Sequence, residues 1–164
     1  MEESPSQISL FPPADYYQEA SSFEKRGLND KARELYNLAA RKGQNKYQAL
    51  LSLAQLDTKM GNWVQALDHF VQASRQYPDG VEADLGLGVL YLQNRDYHLA
   101  QGYLNSAKEN GISEASYYLG CALIGLKKTH LARGFLEDYV SMGGGIHSSD
   151  AAIQIEIIKG ETGG

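Results

Sequence analysis

One spacing constrains this chain more than any other feature: three segments of one design recur every 34 residues. ARELYNLA (32–39), ALDHFVQA (66–73) and AQGYLNSA (100–107) each carry Ala, a large residue four later, and Ala three further on. Ala32, Ala66 and Ala100 stand 34 residues apart, and twelve residues before each lies a small residue: Ala20, Ala54 or Gly88. A fourth copy places Gly120 twelve residues before Ala132, with Leu136 four after it. Gly88 to Gly120 is only 32 residues, a shortfall expected to be absorbed around Asn110-Gly111. A period of this length marks units that cannot bury an apolar face alone and must stack on their neighbours.

Each unit reads as two amphipathic helices joined by a short polar turn. Leu50, Leu53 and Ala54 form one set at helical spacing, and Leu87, Leu90 and Tyr91 another. The turns fall at 25–30, 60–62, 93–96 and 127–129, and Gly27 and Gly61 suit the positive φ that ends a helix. Gly88 is expected where two helices of one repeat approach closely. Gly86, Gly102 and Gly134 have no such reason, and each costs ~1 kcal/mol against Ala inside a helix. The half of the chain that holds them is therefore expected to be the looser one. The pair Gly86-Leu87-Gly88 is not a phosphate loop, because Val-Leu-Tyr-Leu follows with no Lys.

This layout resembles the tetratricopeptide repeat family over most of the chain, with units at 13–46, 47–80, 81–112 and 113–146. The family's large, small, aromatic and Ala positions fall on Tyr16, Ala20, Phe23, Ala32, Tyr36 and Ala39 in the first unit. Leu50, Leu53, Ala54, Ala66, Phe70 and Ala73 fill them in the second, with Pro78 near its end. The third offers Leu87, Gly88, Tyr91, Ala100, Leu104 and Ala107, and the fourth Leu119, Gly120, Leu123, Ala132 and Leu136. Asp57 stands where the family has an aromatic, Tyr139 replaces the second Ala of the fourth unit, and the one Trp, Trp63, is not at the family's usual place. The resemblance implies an all-α, right-handed superhelical solenoid of helix-turn-helix repeats.

It also implies that the first helices of the units line a concave groove. The groove residues expected here are Tyr17 and Ser21, then Leu51 and Gln55, then Leu85, Val89 and Leu92, then Tyr117 and Ile124. Lys59 and Cys121 are expected to face it as well, with charges mainly at its edges. That surface is largely apolar, and an exposed apolar stripe is a liability unless a partner covers it. Some family members hold acidic chaperone tails with a Lys, Arg and Asn clamp. The matching positions carry Tyr17, Gln18, Ser21, Leu51, Ser52, Gln55, Leu85, Gly86 and Val89, so that clamp is missing.

Both ends read differently from the repeats. Residues 1–12 form a flexible arm with an apolar cluster of Ile8, Leu10 and Phe11, and Pro12-Pro13 stops a helix from extending backwards. Gly143-Gly144-Gly145 breaks the fourth unit, Ser148-Ser149-Asp150 suits a helix start, and residues 147–160 are expected to cap the solenoid. Ile153, Ile155, Ile157 and Ile158 spread around that helix, so some apolar surface is expected to stay exposed. The tail GETGG, and 161–164 in particular, is expected to be disordered.

Composition excludes several functions. The net charge of −5, with no basic run, speaks against a nucleic-acid partner. The longest apolar stretch, 115–126, is too short for a membrane span. The single cysteine, Cys121, allows no internal disulfide and fits a reducing compartment. MEESPSQ is unlike a secretory signal, so the expected location is the cytoplasm. His69, His98, His130 and His147 are expected to be solvated, with no metal-ligand spacing among them. Cys121 has no readable base beside it and is expected to be a half-buried structural residue. No metal, cofactor or catalytic residue is expected.

The expectation is a non-catalytic protein-interaction module, an adaptor or assembly factor, that binds a partner segment with apolar anchors in the groove. Two rivals remain open. One is a cytoplasmic chaperone for a secreted protein, resembling the type III secretion translocator chaperones in size, charge and repeat content. The other is a structural subunit that self-assembles through the N-terminal arm or the 150–159 helix.

Overall fold

The computed structural model describes residues 15–43 and 45–162. The expected arm over 1–12, its Ile8, Leu10 and Phe11 cluster, the Pro12-Pro13 stop and the last two tail residues lie outside them. The described residues form nine helices and no strand. They are α1 (Tyr16–Lys25), α2 (Asn29–Lys42), α3 (Lys46–Lys59), α4 (Trp63–Gln76), α5 (Glu82–Gln93), α6 (Tyr97–Glu109), α7 (Glu114–Gly125), α8 (Thr129–Ser141) and α9 (Ser148–Thr162). Because α9 runs through Thr162, the first three residues of GETGG are helical rather than disordered. The chain divides into two compact units, residues 1–49 and 50–164.

The two helices of each repeat are joined by the same turn. The N–H groups of Leu28, Asn62, Asp96 and Lys128 donate to the carbonyl oxygens of Phe23, Asp57, Tyr91 and Leu123 at 3.0, 2.8, 2.9 and 2.8 Å. This six-to-one bond needs a left-handed residue just before the donor. Gly27 and Gly61 supply it at φ 75° and 77°, as their type suggests. Arg95 and Lys127 hold the same position at φ 65° and 59° without being glycine. The missing two residues of the third repeat are divided between a shorter second helix, α6, and a shorter link to α7.

In the first unit, Ala20, Ala32, Tyr36 and Ala39 are buried. Tyr36 Oη donates to Glu24 Oε2 at 2.8 Å, and the Tyr17 ring lies 5.5 Å from the Tyr36 ring.

In the second unit the repeat positions make successive core clusters. Ala54, Ala66, Phe70, Leu87 and Leu90 form one, and Ala100, Leu104, Leu119 and Ala122 the next. The small-residue position does what its spacing implies. A Cβ on Gly88 would stand 2.5 Å from Leu104 Cγ, and one on Gly120 2.6 Å from Leu136 Cγ, so α5 and α7 lie close on their partner helices. Gly102 and Gly134 meet nothing within 4 Å. Gly86 corrects the sequence reading: its missing side chain is replaced by the Phe70 ring of α4.

Asp57, out of place in the family pattern, is fully buried. Its carboxylate accepts from Asn62 Nδ2 at 3.2 Å and lies 3.0 Å from His69 Nδ1. Burying a charge is tolerable only when it is paired and hydrogen-bonded, and α4 supplies the partner. His69 is therefore half-buried and structural, not solvated. His147 is likewise engaged, stacked on Tyr117 at 4.2 Å between centroids and 3.0 Å from the Tyr118 hydroxyl. Only His98 and His130 are exposed as expected.

The fourth repeat ends under α9. Tyr139, in place of the usual Ala, is fully buried with Tyr117, Leu136, Ala151, Ile155 and Ile158. Its hydroxyl reaches the glycine bend, where a Cβ on Gly145 would stand only 2.8 Å away. Ser148 Oγ accepts from Gly145 N at 2.8 Å and so closes the glycine bend that leads into α9. One face of α9 is thus committed to the core, while Ile153 and Ile157 remain 60% and 56% exposed.

Candidate functional site

The first helices of the second unit enclose a hollow of about 330 Å³ between α3, α5 and α7. Its floor is apolar: Leu85, Val89 and Leu90 of α5, with Phe70 showing where Gly86 has no side chain. Gln55 and Thr58 of α3 form one wall and Tyr118 of α7 the other. Glu82 and Glu114, in the first turns of α5 and α7, complete the lining. Thr58 Oγ1 donates back to Ala54 O at 2.8 Å, which turns its methyl group into the free part of the side chain. Burial, aided by the Glu114 charge, raises the Tyr118 phenol above its usual pKa, so it stays neutral at physiological pH.

Three of the expected groove residues meet here: Gln55, Leu85 and Val89. The others have different surroundings. Leu51 packs on the Ala54–Phe70 cluster and Leu92 on the Ala100–Leu104 cluster, both half-buried. Tyr17 and Ser21 are partly exposed on α1 in the first unit. Tyr117 differs most. It is buried, its hydroxyl donates to Asp150 of α9, and its ring stacks on His147. It therefore offers nothing to a partner, because the chain's own last helix has taken that place.

Ile124 lines a second hollow of about 320 Å³, where Cys121 meets Gln154, Ile157 and Ile158 of α9. Cys121 is half-buried, as expected, and burial raises its thiol pKa. A raised pKa leaves a protonated thiol, which is a poor nucleophile. Among the described residues no three His, Cys, Asp or Glu side chains cluster as metal ligands would, and no helix is long and apolar enough to cross a membrane.

Thr58, Tyr118, Glu82 and Glu114 were not anticipated. Yet Glu82 and Glu114 are the second residues of their repeats, a position the family resemblance directs toward the groove. A search of that face for apolar anchors passes over them because they are charged.

Antiparallel helix pairs at a 34-residue period, first helices lining a hollow, define a tandem helical-repeat protein. Residues 51–115 match the family model of the tetratricopeptide repeat. The crystal structure of MamA superposes with a TM-score of 0.76 over 88% of this chain and 84% of its own, at 19% identity. MamA from Desulfovibrio magneticus RS-1 gives 0.67 over 89% and 94% at 16% identity. A thermophilic tetratricopeptide repeat protein of Thermus thermophilus gives 0.71 over 90% and 81% at 15% identity. No curated protein matches by sequence. The chain thus has the fold of these repeat proteins, and residues 51–115 are similar to the tetratricopeptide repeat family.

Proposed function

We propose that the chain is a non-catalytic interaction module, an adaptor or assembly factor, that holds a segment of a partner protein on the first-helix face of α3, α5 and α7. The observation that carries this is the convergence of Gln55, Leu85 and Val89 on one open hollow with an apolar floor. Its volume suits anchor side chains of an extended or helical segment, with neighbouring polar groups to orient the partner's backbone. A photo-crosslinking residue at Val89, compared with one at the exposed Leu99 of α6, tests the reading in the native cell. A defined adduct at Val89 and none at Leu99 is expected. An adduct at Leu99 alone overturns it.

Self-assembly is the second reading, favoured by Ile153 and Ile157, one turn apart and exposed on α9. Sedimentation velocity across a concentration series tests it. Mass that rises with concentration, and falls back on Ile157→Glu, supports it; a constant monomer mass removes it. The chaperone reading predicts a partner that is insoluble unless co-expressed with this chain.

A further inference from the structure

A third hollow, of about 380 Å³, opens where the end of α6, the start of α7 and the end of α8 meet. It shares no residue with the hollow between α3, α5 and α7. Ser116 of α7 lines it, and the Ser116 hydroxyl is fully buried with no hydrogen-bond partner among the described residues. Buried polar groups are nearly always bonded, so this one points to a ligand.

The preceding repeat shows what such a place holds. Asp84 and Ser116 occupy the same position, four residues before Gly88 and Gly120. The Asp84 carboxylate accepts from Ser74 Oγ at 3.3 Å and from Ser106 Oγ at 2.6 Å. One repeat on, Lys108 stands in the place of Ser74 and Asp138 in the place of Ser106. Both line the hollow. A hydroxyl donor is thus exchanged for an ammonium, and the carboxylate it faced is exchanged for the short Ser116. Asp138 does not take the carboxylate's place, because its side chain is 61% exposed and stands 3.9 Å from Lys108 Nζ.

The start of α7 adds donors. Ser113 lines the hollow and makes no side-chain cap bond. The N–H groups of Ala115 and Ser116 turn back to the carbonyls of Ile112 and Ser113 at 3.2 and 3.1 Å. Those of Ser113 and Glu114 are left to face out of the helix start, which favours an anion. The Glu114 side chain lines the α3–α5–α7 hollow instead. Ile112 and Met142 give this hollow an apolar flank.

We infer that the α6–α7–α8 hollow binds a carboxylate on a short aliphatic stem, its oxygens between Lys108 Nζ and Ser116 Oγ and its stem against Ile112 and Met142. A free small acid and an acidic side chain of a partner protein carry the same group. A phosphate dianion fits less well, since Asp138 repels its double charge more strongly.

The test titrates the full isotope-labelled chain with butyrate and follows the backbone amide signals of residues 113–116. Saturable shifts are expected there. Binding should weaken about tenfold or more in Lys108→Gln and in Ser116→Ala, and strengthen in Asp138→Asn, which removes the repelling charge. Ser116→Ala deletes a hydroxyl that bonds nothing in the chain, so it is expected to keep the helix content of wild type. A blocked Ala-Glu-Ala peptide separates the sources. Binding at least as tight as butyrate assigns the site to a partner's side chain, and weaker binding assigns it to a free acid. Shifts that do not saturate, or that are unchanged in both Lys108→Gln and Ser116→Ala, overturn the site. Equal binding of the Ala-Gln-Ala counterpart, or weaker binding in Asp138→Asn, overturns the carboxylate.

Discussion

The Phe70 ring of α4 occupies the space that a side chain on Gly86 of α5 would fill. The same ring belongs to the Ala54–Leu90 core cluster and to the floor of the hollow. Core packing and the candidate binding face therefore share one contact. Gly86→Ala should gain ~1 kcal/mol of helix propensity but lose about 1–3 kcal/mol through displacement of Phe70, a net destabilisation. Gly102→Ala, with open space around it, should stabilise by ~1 kcal/mol. Urea unfolding of both variants checks the opposite signs; stabilisation by both would show that Phe70 yields freely.

Arg95 and Lys127 hold the left-handed turn position that Gly27 and Gly61 hold in the earlier repeats. A side chain there costs roughly 1–2 kcal/mol, partly returned by the larger entropy of glycine when unfolded. Arg95→Gly and Lys127→Gly should each raise stability by about 0.5–1 kcal/mol. A lower melting temperature for either would mean that its side chain contributes more than its backbone costs.

Asp57 is buried against His69 and Asn62. Asp57→Ala removes the shared acceptor and leaves two half-buried donors without it, a loss of about 3 kcal/mol. Asp57→Asn keeps shape and one acceptor and should cost less. Equal and small losses for both would make the pair dispensable.

Alkali should weaken the fold. Burial, then the hydrogen bond to Asp150, pushes the Tyr117 phenol well above its ordinary value of 10.0. Burial likewise raises Tyr118, Tyr91 and the Cys121 thiol. The folded state then binds more protons than the unfolded chain once pH exceeds the ordinary values. The stabilisation is complete below about pH 8, the thiol's contribution fading first and the phenols' from about pH 9, at ~1.4 kcal/mol per pH unit for each group still protonated above its ordinary value. Tyr117→Phe should flatten the slope above pH 10 by one proton; an unchanged slope would remove Tyr117 from the account.

The repeat was legible because stacking imposes a period on residues that have only one way to fit. Gly88 and Gly120 must be small under Leu104 and Leu136, and that need repeats. Gly86 was misread because its reason lies in the preceding helix, on Phe70, outside the repeat that contains it. Asp57 appeared only as a departure from an aromatic position; its partner His69 is twelve residues away and carries no periodic signal. Tyr117 was placed in the groove by register alone, which cannot show that α9 covers the fourth repeat. The hollow was legible in its apolar half and missed in its acidic half, since Glu82 and Glu114 serve equally well as ordinary first-turn acids.

The central claim is that the α3–α5–α7 face holds the partner. Its most direct measurement is quantitative affinity capture from the native cell with wild type, Leu85→Glu and Leu131→Glu, all matched in helix content. Leu131 is exposed on α8 and does not line the hollow. The account predicts a partner recovered by wild type and Leu131→Glu and lost with Leu85→Glu. Equal recovery by all three, or loss with Leu131→Glu alone, would contradict it.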